Sequence, residues 1–360
     1  MSSDPAGPRG DAPACAIRGD DAPANAQALQ PTDIRSLRAA LARFQRALHW
    51  HSLGQVATAF GPFLAICTAM YFSLDLSYWL TLALALPAAG LVVRIFIIQH
   101  DCGHGSFFRS RRANDALGLL SSLITLTPYD NWRRQHAGHH ANWNNLDRRE
   151  SGADIYSTCL TTDEYQALSK WKRFVYRAIR HPGIAHVLIP PLVFLLLYRL
   201  PFDTPQEWRR ERWSVHLTNL ALIAIVIGLG FAVGFRAVAM VQLPITVTAA
   251  IIGVWLFSVQ HRFERVLWYR REQWNMTDVS LRGTSMLRLP RILQWFTGNI
   301  GFHHVHHLNP RIPNYRLEKC HRATPALHVT PVLTLRDAFR ASSYALWDEA
   351  RGRMVRFRDC

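Results

Sequence analysis

Four apolar runs of about twenty residues constrain the fold of this chain more than any other feature of its sequence. They cover about 55–74, 79–98, 215–235 and 238–259. An α-helix of about 20 apolar residues is long enough to cross the hydrocarbon core of a bilayer. Lipid offers no hydrogen bonds to the backbone, so each run is expected to be helical. The sequence therefore predicts an all-α integral membrane protein with four transmembrane helices.

The distribution of basic residues predicts how these helices are oriented. Lys and Arg number 41, against 25 Asp and Glu, and only three of the 41 are Lys, a bias that points to a bacterium. Basic segments flank each pair of apolar runs, whereas the link at 75–78 has neither Lys nor Arg. Basic segments remain on the cytoplasmic side of a membrane. We therefore predict two helical hairpins in a bacterial inner membrane, with both termini and a helical cap in the cytoplasm.

Two shorter apolar segments are predicted not to cross the membrane. The segment at about 116–128 is too short to cross, and basic residues flank it on both sides. The segment at about 184–198 is interrupted by Pro190 and Pro191 and is also bracketed by basic residues. Both segments are expected to lie on the membrane or to dip into it.

The two ends of the chain differ in composition from the rest. Residues 1–35 are rich in Ala, Pro, Asp and Gly and contain no apolar signal segment, which predicts a disordered tail. A membrane domain is predicted over 36–345 and a C-terminal tail over 346–360. The six cysteines are scattered and form no CxxC motif, so a disulfide framework is not expected. The positive charge is assigned to contact with membrane lipids, since no nucleic-acid-binding motif accompanies it.

Three histidine clusters fall in the segments predicted to be cytoplasmic and close to the membrane. The first, HDCGH, places two imidazoles at i, i+4, and the others, HAGHH and HHVHH, place three at i, i+3, i+4. On a helix each set shares one face. The residues are His100, His104, His136, His139, His140, His303, His306 and His307. Eight imidazoles exceed the four ligands of one zinc ion, so two ions are predicted. Iron is favoured because a pair of redox metals can activate O₂ against a lipid.

The three clusters, with their flanking residues, resemble the histidine boxes of the integral-membrane fatty acid desaturase and hydroxylase superfamily. The segments at 129–161 and 299–321 are similar to those of the delta-12/omega-3 acyl-lipid desaturases, and the likeness extends over about 40–330. The resemblance implies a cytoplasmic centre of two iron ions, held by the eight histidines, with O₂ as co-substrate. It also implies a ninth ligand from the end of the last span, a position that His261 occupies.

The reaction implied by this resemblance is the introduction of a cis double bond into a fatty acyl lipid. No flavin, haem or iron–sulfur motif is present, so an external donor, a ferredoxin or a cytochrome b5-like protein, is expected to supply two electrons. A fatty acyl hydroxylase, or an acetylenase or conjugase, would use the same ligands and remains an alternative. A histidine-rich membrane metal transporter is a more distant alternative. Transporters place polar ligands near the middle of their spans, whereas the three histidine clusters here fall outside the apolar runs.

Residues next to the clusters are given supporting roles or none. His304 lies about 100° around a helix from His303, which predicts a structural role beside the ligands. Asp101, Asp147 and Asp154 are candidates to orient a ligating histidine through its second ring nitrogen. The histidines that stand alone in the sequence and are assigned no metal are His49, His51, His181, His186, His216, His321 and His328.

Overall fold

Most of the chain is helical in a computed structural model that describes residues 31–149, 156 and 158–360. Four of its helices are long and apolar enough to cross a membrane, in agreement with the number predicted: His49–Ser73, Tyr78–His104, Arg209–Val233 and Phe235–His261. The helices are α1 (Pro31–Ala42), α2 (His49–Ser73), α3 (Tyr78–His104), α4 (Arg111–Thr125), α5 (Tyr129–Asn142), α6 (Thr162–Ala167), α7 (Lys170–Arg180), α8 (Ile189–Leu195), α9 (Arg209–Val233), α10 (Phe235–His261), α11 (Met276–Arg282), α12 (Arg291–Phe296), α13 (His303–Leu308), α14 (Asn314–Arg322) and α15 (Leu335–Ala341).

Short strands correct the prediction of an all-α fold. They are β1 (Leu160–Thr161), β2 (Met286–Leu287), β3 (Val332–Leu333), β4 (Leu346–Asp348) and β5 (Arg353–Val355). Strand β4 lies between β1, its parallel neighbour, and β5, its antiparallel neighbour, while β2 and β3 pair in parallel. Strands of two or three residues are too short to show alternation in a sequence. Their backbone hydrogen bonds join segments that are distant along the chain.

Parts of both predicted tails are folded among the described residues. Residues 346–360 fold, because β4 and β5 bury their apolar side chains, and Leu346 and Met354 are almost fully buried. At the other end, α1 begins at Pro31 and so overlaps the predicted tail over 1–35. Residues 1–30, where the rest of that prediction falls, lie outside the described residues.

Helix α3 links the apolar part of the molecule to the first histidine cluster. It packs against α2, α4 and α10. Its 27 residues make it about 40 Å long, roughly 10 Å more than the hydrocarbon core of a bilayer. The last turns therefore extend past the apolar region and carry His100 and His104. The helix stops at Gly105, which adopts a left-handed conformation (φ 68°) that a glycine tolerates at a helix C-terminus.

The two segments predicted not to cross have different structures. Helix α4 has 15 residues and is not among the candidate spans. The other segment follows α7, and the pair Lys170–Arg180 and Ile184–Arg199 is bent by 57°. A π-helical turn at Ile184–Leu188 and prolines at the start of α8 account for the irregular path. The pair would add a fifth span only if it crossed as one unit.

Three of the four buried apolar clusters among the described residues hold the histidine-bearing helices in place. The first lies between α2, α3 and α10 and includes Ile95 and Ile245. The second joins the end of α10 to the C-terminal strands and includes Val259 and Met354. The third joins α1, α13 and α14 around Val305. Each of them fixes a helix that ends in histidines or consists largely of them.

Candidate metal centre

The nine histidines predicted as metal ligands lie together, although they come from four helices. Helix α3 contributes two from its last two turns, α5 three, α10 one from its C-terminus, and the short helix α13 three. Seven of the nine are buried, and His104 and His136 are half-buried. The structure thus brings together all the residues that the sequence analysis selected.

Five of these histidines form the first group, in which ring nitrogens from all members lie within 4.8 Å of one another. The members are His100, His104, His136, His140 and His306. The Nε2 atom of His140 lies 3.1 Å from that of His136 and 3.0 Å from that of His306. The Nε2 atom of His104 is buried and has no hydrogen-bond partner among the described residues. A buried ring nitrogen without a hydrogen-bond partner lowers the stability of the fold unless another group binds its lone pair.

The second group lies directly beside the first. His139, His261 and His307 have ring nitrogens within 4.8 Å of one another. His303 joins them, with its Nε2 atom 2.8 Å from that of His261 and 3.0 Å from that of His307. The Nε2 atoms of His139 and His307 are 3.4 Å apart. The groups meet where the rings of His140 and His307 stack, with centroids 4.3 Å apart.

The distances between ring nitrogens suit ligands that share an ion. Two nitrogens about 2.0–2.1 Å from one metal, at an angle of about 90–110°, lie about 2.8–3.4 Å apart. The measured separations of 2.8, 3.0, 3.1 and 3.4 Å fall in this range. Hydrogen bonds alone do not explain the arrangement, because a neutral imidazole has one proton to donate. Imidazole donors suit iron, copper, zinc and nickel, so the residues present fit two such ions.

Burial keeps the histidines outside the spans in the form that binds metal. The pKa values of His136, His140 and His306 lie well below the ordinary value, because burial disfavours the charged ring and neighbouring imidazoles add to the effect. The same causes lower the pKa values of His303 and His307. A neutral imidazole is the species that coordinates a metal.

The position of α13 depends on a close backbone approach. A Cβ atom at Gly301 would lie 2.5 Å from the carbonyl oxygen of Leu287 in β2. The Leu287 N–H donates a 2.8 Å hydrogen bond to the Gly301 carbonyl. Only a glycine fits against the strand at this distance. This contact fixes the chain two residues before His303 and so sets where the third histidine cluster begins.

One of the three candidate carboxylates contacts a clustered histidine. Asp101 Oδ1 lies 3.3 Å from His100 Nδ1. Asp101 Oδ2 accepts hydrogen bonds from the backbone N–H and the side-chain amide of Asn314, at 2.7 and 2.9 Å. A carboxylate held in this way can fix the ring so that its Nε2 atom faces the cluster. Asp147 instead pairs with Arg270, and Asp154 lies outside the described residues.

His304 turns away from the cluster, in agreement with the structural role predicted for it. It is fully buried, and its Nε2 atom lies 2.9 Å from Nδ1 of His321 in α14. The ring of His321 in turn lies 4.8 Å from that of His328, centroid to centroid. Burial and the neighbouring rings hold the pKa of His304 well below its ordinary value.

Aromatic residues around the cluster were missed in the sequence analysis. Trp132 stacks on His136, with centroids 4.7 Å apart and ring planes 15° apart. Phe257 lies 5.1 Å from His261. Each aromatic residue precedes its histidine by four positions, which places the two on one helical face. That spacing is a signal that could have found them.

Comparison with known proteins decides the family. Residues 77–334 match the family model described as fatty acid desaturase. The chain belongs to this family. The desaturase is 42% identical over 324 residues to "Fatty acid desaturase" of Bacillus subtilis, a match that covers 90% of this chain and 91% of that protein.

More distant relatives of the desaturase carry more specific names. It is 28% identical over 296 residues to "sn-2 acyl-lipid omega-3 desaturase (ferredoxin), chloroplastic" of Helianthus annuus, covering 77% of this chain and 62% of that protein. It is also 28% identical over 267 residues to "sn-1 acyl-lipid omega-3 desaturase (ferredoxin)" of Synechocystis, covering 70% and 67%. These matches support the resemblance to acyl-lipid desaturases. The desaturase is accordingly an oxidoreductase.

Proposed function

We propose that this desaturase introduces a cis double bond, of the delta-12 or omega-3 type, into a fatty acyl lipid at a di-iron centre. Two adjacent methylenes lose two hydrogens, and O₂ takes these up with two electrons and two protons to give two water molecules. The observation that carries the proposal is the convergence of nine buried or half-buried histidines at the ends of the apolar helices α3 and α10. A centre in that position lies at the membrane border, where an acyl chain can reach it.

We assign all nine histidines as iron ligands. When bound, the two irons would supply an O₂-derived oxidant strong enough to remove hydrogen from an unactivated methylene, which no side chain can do. The proposed ligands of one ion are His100, His104, His136, His140 and His306. Those of the other are His139, His261, His303 and His307.

The side chains around the ligands orient them and exclude water. Asp101, held by Asn314, fixes the ring of His100. Trp132 and Phe257 cover the imidazoles of His136 and of the second group. A dry, rigid site presents one carbon of the acyl chain to the centre, so the position of the new double bond depends on where the chain is held.

The topology we propose has two hairpins, α2–α3 and α9–α10, with the histidine cluster on the cytoplasmic side of a bacterial inner membrane. Contacts at both ends of the bent segment between the hairpins support it. Before the bend, the Tyr176 hydroxyl donates to the carbonyl of Ala345 in the C-terminal region. After the bend, Asp203 accepts from Gln135 of α5, the helix that carries the second histidine cluster. Contacts of one end with the C-terminal region and of the other with α5 favour a segment that enters and leaves on the side of the histidine cluster.

The electrons are proposed to come from an external one-electron carrier. Two relatives carry "ferredoxin" in their names, which favours a carrier of that class over a cytochrome b5-like protein. The net charge of +16 would favour an acidic carrier.

Expression in a bacterial host that lacks polyunsaturated lipids tests the proposal. We expect fatty acids with a new cis double bond, located by mass spectrometry, and none in cells that express His139→Ala. Hydroxy fatty acids in place of new alkenes would assign the hydroxylase alternative, and alkynes or conjugated dienes the acetylenase or conjugase alternative. Unchanged lipids, with the protein folded and loaded with iron, would contradict desaturation in that host.

A further inference from the structure

Three aromatic side chains pack on the histidine cluster, and their further ring contacts lead to different parts of the protein. Among the described residues, Trp132, Trp143 and Phe257 pack on the clustered histidines. Trp132 continues to Phe96 of span α3, and Phe257 lies within span α10. Trp143 continues instead to Trp274, which is partly exposed to solvent. Among the residues that the structure describes, Trp143 alone of the three starts a chain of ring contacts that leads through Trp274 to the surface outside the spans.

The two indoles form a continuous contact with a proposed ligand. The ring of Trp143 is buried and lies 4.5 Å from that of His307, centroid to centroid. The ring of Trp274 lies 5.7 Å from that of Trp143, edge to face at 82°. The Trp274 indole N–H also donates a 2.9 Å hydrogen bond to the backbone carbonyl of Trp143. Ring contact and hydrogen bond together fix the pair.

The loop that carries Trp274 is tied to the segment that follows the second histidine cluster. Backbone hydrogen bonds join Tyr269 to Asn144 and Leu146, at 3.0 and 2.9 Å. Asp147 binds the Arg270 guanidinium and the Arg271 N–H, both at 2.8 Å. The loop thus holds a fixed place over the metal centre.

The surface around Trp274 is exposed and carries basic groups. The side chains of Arg148, Arg270 and Arg271 are exposed there, beside the acidic Asp147 and Glu272. The carboxylate of Glu349 binds the Arg270 guanidinium at 3.0 and 2.6 Å, so the charges named here number three of each sign. The positive charge that attracts an acidic partner is therefore that of the whole chain, +16, while the exposed charges around Trp274 can pair with the partner at encounter.

We propose that Trp143 and Trp274 form the path by which electrons reach the metal centre, and that the reduced carrier docks over Trp274. The partner inferred is a small acidic protein with an exposed one-electron group. This inference rests on the di-iron function proposed above.

The electron balance is simple. In each transfer the carrier loses one electron and one ferric ion becomes ferrous, and two transfers serve one turnover. The indoles mediate tunnelling and are neither oxidised nor reduced. Delocalised π orbitals in contact couple the carrier to the metal more strongly than saturated side chains would. His307, as a ligand, would connect the Trp143 ring to the iron that accepts the electron.

Reduction kinetics of the iron-loaded protein test the path. Purified Trp274→Leu, Trp274→Phe and Trp143→Phe proteins are mixed with reduced ferredoxin or cytochrome b5, whichever reduces the wild type, and loss of the ferric signal is followed. Trp171→Leu, an exposed residue of α7, is the matched control. We expect Trp274→Leu to slow reduction by about tenfold or more and Trp274→Phe by less, since the protein's part is to couple carrier and metal. Dithionite, a small reductant that needs no docking surface, should reduce all variants at the wild-type rate with unchanged iron content.

A second readout needs no iron. Binding of the carrier to the iron-free protein should weaken in Arg271→Glu and remain unchanged in Trp171→Leu. Wild-type rates of carrier-driven reduction in both Trp274→Leu and Trp143→Phe would overturn the path, as would failure of both carriers to reduce the wild type. A wild-type protein that binds no iron, or gives no product with dithionite and O₂, would instead overturn the di-iron function and with it this inference.

Discussion

The nine-histidine cluster lies next to a separate trio of histidines, and of these two sets the cluster has the geometry of a metal site. The nine-histidine cluster gathers Nε2 atoms from four helices toward shared points. The neighbouring trio of His304, His321 and His328 has rings equally close, 4.8–4.9 Å between centroids. In the trio, however, His304 pairs with His321, and His328 Nε2 approaches the His321 carbonyl at 3.1 Å. Proximity of imidazoles is therefore not enough, and convergence of their lone pairs on one point is the distinguishing feature.

Removing a ligand from the interior of the cluster should have the largest effect. His139→Ala is expected to lower desaturation by at least about 100-fold and to reduce bound iron, because the second group loses a donor that no neighbour can replace. Product formation by lipid analysis and iron content by elemental analysis check this. Full turnover in this variant would remove His139 from the ligand set.

Substitution of His261, the histidine at the end of α10, tests whether the second group of the nine-histidine cluster binds a metal ion. His261→Ala should lower activity by about 10- to 100-fold and reduce the iron content toward one ion per chain. His261→Asn fills similar space without an imidazole and serves as the control for packing. Two bound irons in both variants would show that the second ion does not depend on His261.

Substitution of Asp101, whose carboxylate contacts His100, tests the orientation of a ligand separately from metal ligation itself. Asp101→Asn keeps the size of the side chain but removes its charge, and we expect about a tenfold loss of iron affinity. Asn314→Ala, which removes the side-chain hydrogen bond to the carboxylate and keeps the one from the backbone N–H, should act in the same direction with a smaller effect. Metal titration of the iron-free protein measures both, and an affinity equal to that of the wild type in Asp101→Asn would contradict the orienting role.

Substitution of a histidine in the trio is expected to have the smallest effect on iron binding. His304→Asn should retain iron and keep activity within about twofold, while it lowers stability by about 1 kcal/mol through loss of a buried hydrogen bond. Thermal unfolding and iron content measure the two quantities separately. A loss of iron in His304→Asn comparable to that in His139→Ala would mean that the contrast between the groups does not hold.

The candidate site was more predictable from the sequence than the fold around it. The spacing within HAGHH places its three histidines on one helical face, and this requires only local periodicity. The apolar lengths likewise predict the four long helices. The folding of the segment 346–360 was not predicted, because β4 pairs with β1, a strand almost 200 residues earlier, and β5 is held through β4. Trp143 was passed over for a similar reason, since its partner Trp274 lies in another part of the chain.

By itself the sequence determined the apolar spans, the three histidine clusters and the resemblance to a family that the comparisons confirm. These properties depend on residue type and on spacing over a few helical turns, which a helix converts directly into position. Only the tertiary structure decided how the nine histidines divide into two adjacent groups, that Asp101 rather than Asp147 supports a ligand, and that His304 belongs to a separate trio. Such assignments depend on contacts between segments far apart along the chain, where a shift of a few ångströms exchanges one partner for another.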